Sequence, residues 1–146
     1  MLTEAVNNPD GSFRWTVRVY YEDTDSGGLV YHTSYLRYME RARTEWLRAL
    51  GFDQGRLKTE LGVLFAVRSL DIRYLQPAVL DDHLAVDSRA ARHRRAGLRF
   101  DQHISRLQNN GPELCRASVE VVCIDAHTRR PRPIPEAIMT EMGNVG

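Results

Sequence analysis

Polar and apolar residues alternate from Arg14 to Tyr21. Trp15, Val17, Val19 and Tyr21 fall on one side, and Arg14, Thr16, Arg18 and Tyr20 on the other. A period of two predicts a strand with one face toward a core. The run Glu22-Asp23-Thr24-Asp25-Ser26-Gly27-Gly28 is too polar and glycine-rich to continue it and predicts a loop. The spacing then changes: Tyr35, Met39, Ala42, Trp46 and Ala49 recur every three or four residues, flanked by Leu36 and Leu50. That pattern predicts a helix from about Ser34 to Leu50, with Thr33 or Ser34 placed to cap it and Gly51 to stop it. At about 1.5 Å per residue it is ~25 Å long, enough to cross a sheet of five strands.

Downstream the pattern is almost wholly extended. Val63 to Tyr74, His83 to Arg92, Gly97 to Leu107 and Glu113 to Asp125 each read as a strand, the first closed by Gln76-Pro77. The last carries apolar residues on both sides, Val119, Val121 and Cys123 against Val122 and Ile124, which predicts a central strand covered on both faces. Asp81-Asp82, Arg94 to Gly97 and Asn109-Asn110-Gly111 are the turns between them, and Pro131, Pro133 and Pro135 take the chain off the sheet before a short helix near Glu136 to Met142. One long helix with a meander of strands predicts an α+β fold, a single domain whose antiparallel sheet of about five strands wraps around the helix. Residues 1–12 read as a loose lead-in and 13–146 as the domain. One face of the sheet buries the helix; the other needs cover elsewhere, so self-association is expected.

Composition narrows the function classes. The chain has 146 residues, 42% apolar and 27% charged, which suits one soluble domain and excludes a disordered chain. Twenty basic residues against 19 acidic ones leave a net charge of +1, which argues against a general nucleic-acid binder. Charges interrupt every apolar run before ~18 residues, so no transmembrane segment is expected. Met1 to Gly11 lacks the basic start and apolar centre of a signal peptide, and a cytoplasmic location follows as an expectation. Cys115 and Cys123 share one predicted strand, ~26 Å apart and beyond disulfide reach, and read as reduced, buried thiols. Lys58 is the lone lysine among the basic residues. The rest are arginines, whose planar forks bind phosphate well.

The candidate chemistry is concentrated between Tyr21 and His32. Asp23, Asp25, Tyr21, Tyr31 and His32 crowd a loop between a strand and a buried helix, beside paired glycines that let backbone approach a ligand. A carboxylate next to the free N–H groups of a helix start is the minimum needed to attack an acyl group, directly or through water. Two other readings stand beside it. The aspartates and glycines are also ordinary turn and cap residues. A metal site from Asp23, Asp25 and His32 has a spacing that matches no standard ligand pattern.

Arg18 through Asp25, then Ser26, Gly27-Gly28 and Val30-Tyr31-His32, resemble the signature of the hotdog-fold acyl-CoA thioesterases of the 4-hydroxybenzoyl-CoA thioesterase family, and within it the YbgC-type branch associated with the Tol–Pal envelope system. The likeness continues through Tyr38, Glu40 to Glu45, Pro77-Ala78 and Leu80-Asp81-Asp82, and ends near Pro131-Arg132. It implies a hydrolase converting acyl-CoA to free acid and CoA. Asp25 then matches the catalytic carboxylate, as general base or nucleophile. Tyr31 and His32 fall where backbone N–H groups polarise the thioester carbonyl, with the His32 side chain assisting. Tyr21 matches a tyrosine that orients the carboxylate or lines the pocket, and Asp23 reads as structural. Met39 and Trp46 read as core.

Arg89, Arg92, His93, Arg94, Arg95 and Arg99 surround one predicted hairpin. Solvated strand-end arginines are the plainer reading. The resemblance implies a clamp for CoA phosphates, with Arg94 and Arg95 its foremost members and Arg130 and Arg132 joining from a neighbouring subunit. It implies no metal and no cofactor, since the CoA moiety belongs to the substrate. It also implies a homo-oligomer, a dimer or tetramer with the site at a subunit interface, and leaves acyl carrier protein as a further partner. Two rivals remain open: a carrier-protein or envelope partner with weak or no catalysis, and a dehydratase on the same fold, which needs a histidine–carboxylate pair across the interface.

Overall fold

The computed structural model describes residues 5–8, 10–108 and 111–142. Residues 1–4 and Pro9 of the lead-in, and Asn109-Asn110 of the third predicted turn, lie outside the described residues. The elements in order are β1 (Ala5–Asn7), β2 (Phe13–Arg18), α1 (His32–Ala49), α2 (Gln54–Arg56), β3 (Val63–Tyr74), β4 (His83–Arg94), β5 (Gly97–Arg106), β6 (Glu113–Asp125) and α3 (Glu136–Glu141). The strands form one antiparallel sheet in the order β1-β2-β4-β5-β6-β3. Five of them are the expected ones; the three-residue β1 adds a sixth beside β2. Between α1 and β3, α2 runs into a wider helical turn, Leu57–Leu61, that the apolar spacing did not announce.

Helix α1 lies against the inward face of the sheet. Tyr35, Tyr38, Met39, Ala42, Trp46 and Leu47 are buried, with the Trp46 ring stacked on Phe13 at 5.6 Å and edge-on to Phe100 at 6.0 Å. Met39 and Trp46 are thus core side chains, whereas Ala49 is exposed at the last turn. The helix ends as its glycine foretold. Gly51 adopts φ +95°, its N–H donates to the Arg48 carbonyl at 3.0 Å, and the Phe52 N–H donates to Leu47 at 2.8 Å. The start differs from expectation: α1 begins at His32, and Ser34 Oγ donates to the Asp23 carbonyl instead of capping the helix.

Two further expectations are corrected. The alternation that placed Tyr21 on the inner face stops at Arg18, because the chain turns into one tight helical turn at Tyr21–Asp23; Tyr21 is 82% exposed. The outer face of β6 is not covered. Arg116, Ser118 and Glu120 alternate there with inward Cys115, Ala117, Val119 and Val121. Across the outer face charges pair from strand to strand, Arg14 with Asp87 at 2.7 Å and His103 with Glu113 at 3.2 Å. A face so paired has little apolar area to hide, and it gives no reason for association there. The unsatisfied part of the sheet is its edge. β3 is the longer of the two edge strands, twelve residues long, with Val67 52% and Leu70 41% exposed.

Both cysteines are free and buried on β6. Burial pushes the thiols up to about 12 for Cys115 and about 11 for Cys123, which leaves neither as a nucleophile near neutral pH.

Candidate active site

The loop from Asp23 to Tyr31 closes on itself before α1 begins. The Asp25 N–H donates to the Leu29 carbonyl at 2.8 Å, Gly28 N–H to the Asp25 carbonyl at 3.1 Å, and Tyr31 N–H to the Asp23 carbonyl at 2.9 Å. Asp25 is held from both ends of this turn. Its Oδ1 accepts from the Gly27 N–H at 2.8 Å and the Leu29 N–H at 3.2 Å, while Oδ2 has no partner among the described residues. One carboxylate oxygen is thus an anchor and the other is free for chemistry. Asp23 does different work: it is buried, its Oδ2 accepts from the Tyr20 N–H at 2.9 Å, and it ties the strand exit to the loop.

Gly28 sets the turn. Its φ is +82° and an added Cβ would meet nothing within 4 Å, so the barrier to substitution is backbone conformation alone. Gly28→Ala is expected to cost about 1–2 kcal/mol, read as a lower denaturant midpoint. An unchanged midpoint would mean the loop does not depend on this glycine.

Asp25, Leu29, Tyr31, His32, Tyr35 and Tyr74, together with Leu75, Gln76 and Pro77, line a cleft of about 350 Å³. The Tyr74 hydroxyl donates to the His32 carbonyl at 2.9 Å, and the Tyr35 hydroxyl accepts from the Ala78 N–H at 2.9 Å, so the end of β3 is pinned to the start of α1. The His32 ring lies 4.4 Å from Tyr31 and 6.4 Å, edge-on, from Tyr74, and makes no hydrogen bond among the described residues.

The predicted site residues divide accordingly. Asp25, Tyr31 and His32 come together in the cleft. Tyr21 does not line it, because the chain has already left the strand. Of the two expected backbone donors, Tyr31 is corrected: its N–H is spent on Asp23. The His32 N–H, first in the helix, has no partner among the described residues and lies at the positive end of the helix dipole. Among the described residues no three His, Cys, Asp or Glu side chains gather as metal ligands. Tyr35, Tyr74 and the Leu75–Pro77 segment are the lining residues that sequence reasoning missed. Their signal is pairing across the fold, which no local spacing carries.

The arginines gather at the opposite end of the sheet. The Ile134 N–H donates to the Arg95 carbonyl at 3.3 Å and the Asp125 N–H to the Arg130 carbonyl at 2.8 Å, which binds the β4–β5 turn and the 126–134 return into one corner. There Arg92 pairs with Glu136 and Arg132 with Asp125, while Arg89 pairs with Asp10 of the β1–β2 turn and Arg99 with Asp101 along β5. Arg94, Arg95 and Arg130 have no ion pair among the described residues. From Cys115, paired with Tyr74 of the cleft, to Val122, paired with Gly97, is seven residues of β6, roughly 23 Å at 3.3 Å each. Within one chain, this basic corner and Asp25 are far apart.

Residues 19–141 match the family described as the thioesterase-like superfamily. The acyl-CoA thioester hydrolase YbgC of Escherichia coli O6:H1 is 46% identical over 129 residues, 88% of this chain and 94% of that one. A crystal structure of a probable thioesterase from Bartonella henselae superposes with a TM-score of 0.77 at 34% identity, over 84% of this chain and 98% of that one. Slr0204, a 1,4-dihydroxy-2-naphthoyl-CoA thioesterase from Synechocystis, shares the fold at a TM-score of 0.83 and 24% identity, over 90% of this chain and 95% of that one. With a helix cradled in an antiparallel sheet and a sequence matched across 19–141, the chain belongs to the hotdog-fold thioesterase-like superfamily, among its YbgC-type members.

Proposed function

We propose that the protein hydrolyses acyl-CoA thioesters at the Asp25 cleft. One observation carries this reading: a carboxylate with one oxygen anchored and one free shares a cleft with the unpaired N–H of a helix start. The thioester carbonyl oxygen accepts from the His32 N–H, where negative charge develops as the carbon becomes tetrahedral. The free oxygen of Asp25 takes a proton from water as its oxygen bonds to the acyl carbon, or attacks that carbon itself. On the first route the C–S bond then breaks and the proton passes to the departing sulfur; on the second CoA leaves as the thiolate, and water cleaves the Asp25–acyl anhydride, giving the free acid, restoring the carboxylate and supplying the thiolate's proton. With a thiol pKa of about 8.5 the leaving group needs no strong acid, so one carboxylate is enough.

The bare edge of β3 supports a two-fold dimer in which two such strands pair antiparallel. That pairing sets the Val63 end of one copy beside the Tyr74 end of the other. The basic corner, at the other end of β6 from the cleft of its own chain, then approaches the cleft of the second copy. Arg94, Arg95 and Arg130, unpaired in the monomer, and Arg132 are the residues for the CoA phosphates. A tetramer, an acyl-carrier-protein thioester and service to the Tol–Pal system in the cytoplasm extend the same reading. Among the described residues no helix is long and apolar enough to cross a membrane.

Free-thiol release from short, long and aromatic acyl-CoAs tests the activity; no release from any of them overturns it. The clamp has its own test. Replacing Arg94 and Arg95 together by glutamine is expected to raise KM for acyl-CoA about tenfold, with kcat held. KM for the matching acyl-pantetheine, which lacks the nucleotide phosphates, should not move. Equal effects on both substrates would remove the two arginines from phosphate binding.

A further inference from the structure

A second cavity, of about 270 Å³, lies away from the Asp25 cleft between α1 and the inner face of the sheet. Leu47, Phe65, Val67, Leu98, Phe100 and Val121 make its walls apolar, and Glu40, Arg43 and Thr44 project into it from α1. Arg43 is held in place from below. Gln102 is fully buried, and its side-chain amide donates to the Met39 carbonyl at 3.0 Å and to Ser88 Oγ at 3.0 Å. Both amide protons being spent, the Gln102 Oε1 is fixed toward Arg43 and accepts from its Nη1 at 2.9 Å. That is the guanidinium's one hydrogen bond among the described residues, out of five N–H donors. Burial pushes its pKa down, with Glu40 opposing, so the charge is held under desolvation strain that an acceptor in the cavity would relieve.

We propose that this cavity receives the far end of the acyl chain, and that Arg43 with Glu40 selects acyl groups ending in a hydroxyl. The inference rests on the thioesterase reading and the β3-edge dimer above. Phe65 and Val67 of the unpaired edge line the cavity, so antiparallel pairing opens it toward the cleft of the other copy. The chemistry of the rim decides the terminal group. A hydroxyl accepts from the Arg43 fork and donates to the Glu40 carboxylate, whereas a terminal methyl leaves both unanswered and a terminal carboxylate meets Glu40 as a like charge.

The test compares straight-chain acyl-CoAs with their ω-hydroxy counterparts of equal length, using the whole protein and free-thiol release. Wild type is expected to favour the hydroxylated member by about tenfold or more in kcat/KM at the length that spans the cavity, mainly through KM. In Arg43→Met that ratio falls to about one, and Arg43→Lys, which keeps a charge and a donor, retains part of it. Circular dichroism establishes that the variants are folded; if Arg43→Met is not, wild type and Arg43→Lys decide. Hydrolysis with no preference at any length, or a preference that survives Arg43→Met, overturns the proposal and leaves the thioesterase reading standing. No hydrolysis of any member removes both.

Discussion

Asp25→Asn is expected to lower kcat for thioester hydrolysis by about 10²–10⁴-fold, with the fold intact. The reason lies in how the two carboxylate oxygens are used. Oδ1 accepts from the Gly27 and Leu29 amides, and an asparagine carbonyl accepts from the same two groups. The substitution therefore keeps the loop closed and exchanges only the free oxygen for an NH₂, which neither takes a proton nor attacks a carbonyl. Stability should stay within about 0.5 kcal/mol of wild type, since the side chain is exposed. Free-thiol release under saturating acyl-CoA, beside a denaturation curve for each protein, makes the measurement. Equal turnover in two folded proteins would take Asp25 out of the reaction and favour the carrier-protein partner.

The second large effect concerns the sheet edge. Val67→Lys with Leu70→Lys is expected to turn the proposed β3-edge dimer into a monomer and, with it, to reduce kcat/KM by about 100-fold or more, because the proposed phosphate clamp and the cleft then no longer meet. The midpoint of β3 falls between Arg68 and Ser69, so two copies crossing there set position 67 of one opposite position 70 of the other. Four lysines would meet on one face, where like charges directly opposed are destabilising. Both native side chains are already substantially exposed in the single chain, so the monomer should survive the change. Mass in solution is read first. A double variant that remains dimeric shows the copies to join elsewhere, and a monomer with full activity shows the site to be complete within one chain.

Much of this is legible in the residues alone. The stripe from Tyr35 to Trp46 and the glycine at 51 located α1, because burial and helix termination are local properties of spacing and backbone freedom. The long strands were legible for the same reason. What escaped was set across the fold. Tyr74 reaches the cleft through a hydrogen bond to a residue 42 positions earlier. The Arg43–Gln102 contact joins helix to sheet over 59 positions. Tyr21 was misplaced because alternation gives the side a residue faces only while the strand lasts. Tyr31 reads as a free donor from the sequence, but the loop closes onto Asp23 through turn geometry that residue types do not specify.

The strand order also sets a timetable for synthesis. Within the chain β3 pairs with β6 alone, and β6 begins about forty residues after β3 ends. While the ribosome supplies the intervening hairpin, Phe65, Val67, Leu70 and Ile72 wait with neither their own chain nor a second copy to pair them. The strand through which we propose two copies pair is thus the last long one to find its place, and during that interval its bare edge is open to pairing with a wrong neighbour.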